Sequence, residues 1–493
     1  MTHETAATPI LRPGDTCWRI ERADRLAVIV DAADYFRTIR TAIRQARRSV
    51  ILIGWDFDTR VLLDPDDTSS DVPSPLGKFL DWAVKRNPDL HIYILKWDLG
   101  MLQTLGRGST PLKIFDWMTS NRVHFKLDHA HPSGAAHHQK VVVIDDTLAF
   151  CGGIDITADR WDTRDHRDND PNRVRPTTKR SYDPWHDVTT AVDGNAARAL
   201  GDLARERWKH ATGDDLDPPS ALSPIWPESL NPTLTNVDVA ISRTVPEYGD
   251  RAAVHEIEKL YLAAIGAAKR TIYFESQYFA SRKIAQAMAD RLREPDGPEI
   301  VIINPESAGG WLEEEVMGSS RARMLKVIQD ADLHQRFRIY TPVTQGRKPI
   351  YVHAKVLVVD DRLLRVGSSN LNNRSLGFDT ECDLSVEADP DNAAHTDLSA
   401  RITALRNDLL AEHLGVGTSD VETAVNASAG SLITSIDALC SDNRSLVLFH
   451  PPDLNPVEDA LLAENNLLDP ERPSHRWRAF HPVNLLPKWL RKS

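Results

Sequence analysis

Cysteine is scarce and scattered in this chain of 493 residues: Cys17, Cys151, Cys382 and Cys440 lie far apart with no Cys-x-x-Cys spacing. That excludes a disulfide framework and a thiolate zinc cage. Long apolar runs are missing as well. The longest, such as Ser49–Gly54 and Val141–Ile144, fall well short of the roughly 18 residues of a membrane span, so no transmembrane segment is expected. The first residues, Met1-Thr-His-Glu-Thr-Ala-Ala-Thr, carry neither the basic start nor the apolar stretch of a signal peptide. A cytoplasmic or peripheral membrane location is therefore expected, with an unconventional route if the protein is secreted. Positive charge is not in surplus: 59 Lys and Arg against 71 Asp and Glu leave a net charge of −12. This counts against a protein built to coat nucleic acid, although a local basic pocket remains compatible with it. What is present, 41% hydrophobic and 26% charged residues, is the composition of an ordinary folded protein of about two to four domains.

The chain also contains itself twice. Ala46-Arg-Arg-Ser-Val-Ile-Leu-Ile-Gly54 returns in pattern as Ala268-Lys-Arg-Thr-Ile-Tyr-Phe-Glu-Ser276, each after a helical run and each reading as a strand. Leu90–Leu95 corresponds to Glu299–Ile303, and Arg122–Lys126 to Arg336–Tyr340. The strongest echo is His138-Gln-Lys140 with Asp145 against His353-Ala-Lys355 with Asp360. A single spacing of 215 residues relates both histidines, both lysines and both aspartates, and also Gly152 to Gly367 and Asp155 to Asn370. The expectation is an α/β protein of two homologous lobes, 28–215 and 240–415. A Pro-rich linker at 216–239 joins them, with extensions at 1–27 and 416–493.

In an extended strand, residues i and i+2 share a face, so His138 projects beside Lys140 and His353 beside Lys355. Asp145 and Asp360 end their strands with the opposite parity, which assigns them a framework role before a chemical one. A lysine beside each histidine repels a divalent cation, and no Asp, Glu or Cys lies at ligand spacing. The motif is accordingly read as needing no metal and no cofactor. If the lobes pack face to face, two imidazoles and two ammonium groups converge on one pocket suited to a phosphodiester: one neutral His attacks phosphorus, and the other, protonated, serves the leaving alkoxide. Different protonation states require different partners for the two rings. Asp187 and Glu381, each opening an alternating strand-like run, are the candidates. Their separation is 21 residues short of the repeat spacing, because the charged stretch Trp161–Pro176 has no counterpart after Asn370. It reads as an inserted loop near the pocket mouth, either solvated or gating.

These residues resemble the phospholipase D superfamily, whose hallmark is a duplicated H-x-K-x4-D motif. The similarity extends through His137–Asp145, Ala149–Asp155, Arg160-Trp-Asp162, Pro184–Asp187, Ile272–Phe279 and Gly367–Ser375. The resemblance implies two phospholipase D-like lobes, each a mixed β-sheet flanked by helices, packed about a pseudo-twofold with the active site at the lobe interface. It implies a catalytic set of His138, Lys140, Asp145, His353, Lys355 and Asp360, with His138 as nucleophile and His353 as general acid. Lys140, Lys355 and Asn370 would hold the phosphate, and Asp187 and Glu381 would orient the imidazoles across the interface. Asp155 stands where many relatives carry Asn, in the Gly-Gly-Ile-Asp form of eukaryotic-type phospholipases.

The implied reaction is hydrolysis of a phospholipid's distal phosphodiester to phosphatidate and a head-group alcohol, with transfer to other alcohols in reach. A cardiolipin synthase-like phosphatidyltransferase, an endonuclease and an inactive head-group-binding scaffold are the alternatives. The expected partners are the phospholipid and a membrane surface, without obligatory nucleic acid. Both motifs in one chain suggest a monomer. Trp55, Trp161, Trp185, Trp311 and Tyr278 are candidates to touch an acyl chain, and the basic, aromatic tail Arg476–Lys492 resembles a peripheral membrane contact.

Overall fold

The computed structural model describes residues 8–67, 71–98, 110–118, 120–220, 222–307 and 319–450. Trp311 and the tail Arg476–Lys492 lie outside the described residues. The first half supplies strands β1 (Arg19–Val30), β2 (Ser49–Gly54), β3 (His91–Trp97), β4 (Val123–Asp128), β5 (Val141–Ile144), β6 (Leu148–Gly152), β7 (Trp185–His186) and β8 (Val188–Asp193). The second supplies β9 (Leu234–Val245), β10 (Val254–His255), β11 (Thr271–Glu275), β12 (Glu299–Ile303), β13 (Phe337–Val343), β14 (Tyr351–Val352), β15 (Val356–Val359), β16 (Leu363–Gly367), β17 (Glu381–Glu387) and β18 (Ser445–Leu448).

Both halves run the same course. From the centre outward the first is ordered β1-β8-β6-β5-β2-β3-β4 and the second β9-β17-β16-β15-β11-β12-β13, with β18 added at the outer edge. In each, the strands are antiparallel as far as β2 or β11 and parallel beyond it. The parallel steps are crossovers through helices, among them Leu76–Arg86 and Arg282–Arg293. The structural halves are thus mixed sheets flanked by helices, as expected.

The two sheets are also fused. β1 pairs antiparallel with β9, and the register places Arg22 opposite Asp238 and Ala23 opposite Val237. By the matching neighbour ladders, Thr189 opposite Ile29 and Asp383 opposite Ser242, Arg22 corresponds to Thr235 and Arg25 to Asp238, and Arg25 lies opposite Thr235. The equivalent pairs therefore exchange places across the ladder, as a pseudo-twofold axis through its middle requires. β1 begins at Arg19, inside the stretch drawn from the sequence as an extension. Farther upstream, the backbone N–H groups of Ile10 and Leu11 donate to the Glu387 carboxylate at 2.9 Å each, tying that segment to the second half.

Side-chain alternation explains the layers. Along β2, Val50 and Leu52 face a core shared with the helices Ala32–Ile43 and Leu76–Arg86, whereas Ile51 and Ile53 face the opposite way. Along β15, Leu357 and Val359 face the second half's own helices, and Val356 and Val358 face inward. The inward residues of both halves merge into one core with the helices Gly194–Thr212 and Thr396–Leu414. Each sheet is covered on both faces, which explains the near-continuous Val/Ile/Leu runs of the motif strands.

Asp145 and Asp360 are tied into the framework, each carboxylate binding the backbone. The Asp145 carboxylate accepts from the backbone N–H groups of Arg47 (2.6 Å), Arg48 (2.8 Å) and Ser49 (2.8 Å). Asp360 does the same for Lys269 (2.9 Å), Arg270 (2.8 Å) and Thr271 (2.8 Å). Each fixes the entry of β2 or β11 from the turn at the far end of its motif strand, away from the imidazole. Both adopt left-handed backbone (φ 52° and 53°), which Asp tolerates better than most residues. Asp360→Ala should cost about 2–3 kcal/mol by leaving these donors unmade. Thermal denaturation checks this, and the turnover of the molecules that remain folded should be near that of the parent.

Candidate active site

Each motif strand is entered beside a strand of the opposite half. The His138 N–H donates to the Thr380 carbonyl at 3.0 Å, and the His353 N–H to the His186 carbonyl at 2.8 Å. The short ladder of β7 and β14 carries the second of these contacts. This register delivers the next residue's carboxylate to each imidazole: His138 Nδ1 lies 3.0 Å from Glu381 Oε1, and His353 Nδ1 lies 2.6 Å from Asp187 Oδ2. Both Nδ1 atoms are committed to carboxylates, which leaves Nε2 of each ring as the reactive nitrogen. Both histidines line one cleft of about 770 Å³, together with Asp155 and Asn370.

The lysines stand directly behind. Lys140 Nζ donates to the His138 carbonyl (3.0 Å) and pairs with Asp155 Oδ2 (3.2 Å). Asp155 is itself fixed by the Trp55 N–H at 3.0 Å. Lys355 donates to the His353 carbonyl and to Gln277 Oε1 at 3.4 Å. At the position equivalent to Asp155 it has Asn370, which is neutral and whose amide oxygen has no hydrogen-bond partner. One ammonium is thus paired with a carboxylate at this position and the other is not. Burial lowers Lys355 to about 7 against the pull of Asp187. Burial also holds both imidazoles well below their usual range, reinforced by Lys140 and Lys355 at His138 and by Lys355 and Arg160 at His353. The sequence reading expected one neutral and one charged ring. The protein's own groups instead push both the same way, because both rings are buried beside cations. Burial raises Glu381 to about 8 and raises Asp187 as well.

Glycine makes room beneath Asp187 and against the neighbouring strand. A Cβ on Gly153 would stand 2.1 Å from Asp187 Oδ1, and one on Gly152 would meet the Thr189 backbone at 2.4 Å. At the position repeat-equivalent to Gly153 the second half has Ser368, whose hydroxyl donates to Glu381.

Sequence reasoning missed part of the wall. Tyr351 stacks on Trp185 (4.5 Å between centroids, 18°), Trp185 lies 5.1 Å from His353, and Arg160 sits over Trp185 at 4.1 Å. Gln277 Nε2 donates to the hydroxyls of Tyr278 (2.8 Å) and Tyr351 (2.9 Å), tying Lys355 to the aromatic wall. Tyr351 was detectable, since it precedes His353 by two residues on the same strand face. Of the expected aromatic contacts, Trp55, Trp185 and Tyr278 line the cleft, whereas Trp161 is buried in the first half's core. The inserted stretch is anchored rather than wholly solvated, although Asp165 and Arg167 in it are exposed. Asp162, His166 and Arg173 within it are buried, while Arg175, Tyr182 and Asp183 line the cleft.

Two outcomes follow from this geometry. If charged Lys355 is required, kcat/KM on a water-soluble phosphodiester should fall as pH rises through about 7, where the free protein loses that cation. Lys355→Arg should carry the alkaline limb upward, because a guanidinium keeps its charge. Gly153→Ala should displace Asp187 from the His353 imidazole and lower kcat by about 10²-fold or more, as misplacement of a reacting group does. The same change should have little effect on KM.

The two halves match separate family models: residues 42–223 match "Phospholipase D", and residues 261–402 match "Cardiolipin synthase, PLD-like domain". Among curated relatives, phospholipase D A of Dictyostelium discoideum is 26% identical over 422 residues, covering 73% of this chain and 32% of that protein. Phospholipase D alpha 4 of Arabidopsis thaliana is 23% identical over 500 residues, covering 78% and 64%. This chain therefore spans between about a third and just under two thirds of those relatives. The crystal structure of phosphatidylserine synthase from Haemophilus influenzae shares the fold, with a TM-score of 0.51 at 13% identity over 85% of this chain and 97% of that one. With a phospholipase D-type half on each side of one cleft, the chain belongs to the phospholipase D superfamily.

Proposed function

We propose that this protein is a phospholipase D that hydrolyses the distal phosphodiester of a glycerophospholipid to phosphatidate and a free head-group alcohol. The observation that carries the reading is the pair of imidazoles in one cleft, each with Nδ1 bound to a carboxylate of the opposite half. His138 Nε2 attacks phosphorus, and the bond from phosphorus to the head-group oxygen breaks. His353 Nε2 gives its proton to that oxygen. Water then loses a proton to His353 and attacks the phosphohistidine, releasing phosphatidate and restoring His138. The substrate's negative charge offsets Lys140 and Lys355, so the imidazolium that His353 needs becomes favourable once the phosphodiester is bound. Lys140, Lys355 and Asn370 hold the nonbridging oxygens, while Glu381 and Asp187 orient the rings. Asp155 acts through Lys140.

The aromatic wall of Trp185, Tyr351 and Tyr278 suits the apolar part of an amphiphile. No helix among the described residues is long and apolar enough to cross a membrane. The protein is proposed to work as a monomer at a bilayer surface, without cofactor or nucleic acid.

Incubation with phosphatidylcholine and a primary alcohol tests the reading. Phosphatidyl-alcohol should form, and His138→Ala should lose turnover by on the order of 10³-fold or more. His353→Ala should lose about 10²–10⁴-fold on the natural substrate and much less with an activated leaving group that needs no proton. Absence of lipid turnover together with cleavage of DNA would overturn the proposal in favour of a nuclease.

A further inference from the structure

A second cluster of titratable groups lies outside the cleft. Asp31, His166, His186 and Glu412 bring four ligand-type atoms within 4.8 Å of one another, every one of them buried. His186 Nδ1 lies 2.8 Å from Glu412 Oε1 and 3.3 Å from Asp31 Oδ1, and His166 Nε2 lies 3.2 Å from Glu412 Oε1 and 3.5 Å from Asp31 Oδ2. Metal–nitrogen and metal–oxygen bonds of about 2.0–2.2 Å set the corners of a tetrahedron about 3.3–3.6 Å apart. The His166–Glu412 separation is close to that edge, and so is each Asp31 separation, although Asp31 reaches His186 through Oδ1 and His166 through Oδ2 and would have to turn one oxygen onto the ion. The 2.8 Å contact needs to open by about half an ångström.

The surroundings point the same way. The far nitrogen of each histidine is held by a further buried carboxylate: His166 Nδ1 by Asp162 Oδ2 at 3.0 Å, and His186 Nε2 by Glu275 Oε2 at 2.9 Å. Those carboxylates are braced in turn, Asp162 by Arg173 at 3.1 Å, and Glu275 by the Tyr273 hydroxyl at 2.6 Å and His413 Nε2 at 3.0 Å. A carboxylate behind each imidazole is what orients histidine ligands at metal centres. Independently, Asp31 Oδ2 is fully buried beside His166 and has no hydrogen-bond partner. A buried anionic oxygen without a donor is costly, and a cation would satisfy it.

We propose that Asp31, His166, His186 and Glu412 form a closed structural zinc site. Two imidazoles and two carboxylates in a four-coordinate set favour Zn²⁺ over Mg²⁺ or Ca²⁺, which prefer all-oxygen shells of six or more ligands. The ion joins the turn after β1, the inserted stretch, β7 and the second half's helix Thr396–Leu414. It touches no substrate. It is a positioning device, since Asp31 Oδ1 also accepts the Asp187 N–H at 3.1 Å and the His186 carbonyl accepts the His353 N–H at 2.8 Å.

Elemental analysis of the untagged full chain, dialysed against zinc and then washed, should find about one Zn²⁺ per molecule, as structural sites retain. His138→Ala should retain the same amount, and His166→Ala less than about a tenth of it. A strong chelator should lower the melting temperature of the parent and leave that of His166→Ala unmoved. Cobalt in place of zinc should give the visible d–d bands of a tetrahedral site; this measurement on the parent stands even if His166→Ala fails to fold. A parent chain that binds less than about a tenth of a metal per molecule, or a folded His166→Ala that keeps the full complement, overturns the site. These readouts do not depend on which substrate the cleft turns over.

Discussion

The bond between each catalytic-type imidazole and a carboxylate of the other half is the constraint on which the molecule turns. Among the described residues, the carboxylates that orient His138 and His353, Glu381 and Asp187, both come from across the seam. A buried imidazole facing lysine without such a partner would be unanchored and disfavoured in its charged form. In the proposed mechanism neither half would work alone, and the fused sheet and shared core hold them in one relative position.

Symmetry in the backbone is broken in the chemistry by a few substitutions. Asp155 pairs with Lys140, while its counterpart Asn370 leaves Lys355 without that carboxylate. Gly153 makes room for Asp187, while its counterpart Ser368 hydrogen-bonds Glu381. The two imidazoles thereby receive unequal surroundings from nearly equal scaffolds, as the proposed mechanism, with one nucleophilic and one proton-transferring ring, requires.

Much of this was legible in the sequence, for identifiable reasons. The 215-residue register exposed the duplication, parity set Asp145 and Asp360 apart from the histidines, and strand starts picked out Asp187 and Glu381. The union of β1 with β9 was hidden, because Arg19, Glu21, Arg22 and Arg25 put several charges into a strand that lies at the centre of the sheet, within a stretch drawn as an extension. The inserted stretch was also unreadable. Asp162 and Arg173 look like surface charges until they are seen to pair with each other, and His166 until Asp31 and Glu412, far away in sequence, arrive beside it. The histidine-paired clusters escaped a search for ligand spacing because each ligand comes from a different segment. Cys151 and Cys382, 231 residues apart, likewise meet unannounced, with the thiol of the first on the carbonyl of the second at 3.4 Å.

The swapped register of β1 and β9 has an implication for descent. Two copies of one half, each presenting the same strand edge, would satisfy one another by the same ladder without any linker, as an isologous homodimer does. Joining such copies head to tail costs nothing in geometry and frees each to mutate alone. Asn370 and Ser368 are changes that a true homodimer, obliged to alter both of its sites together, could not have made on one side only.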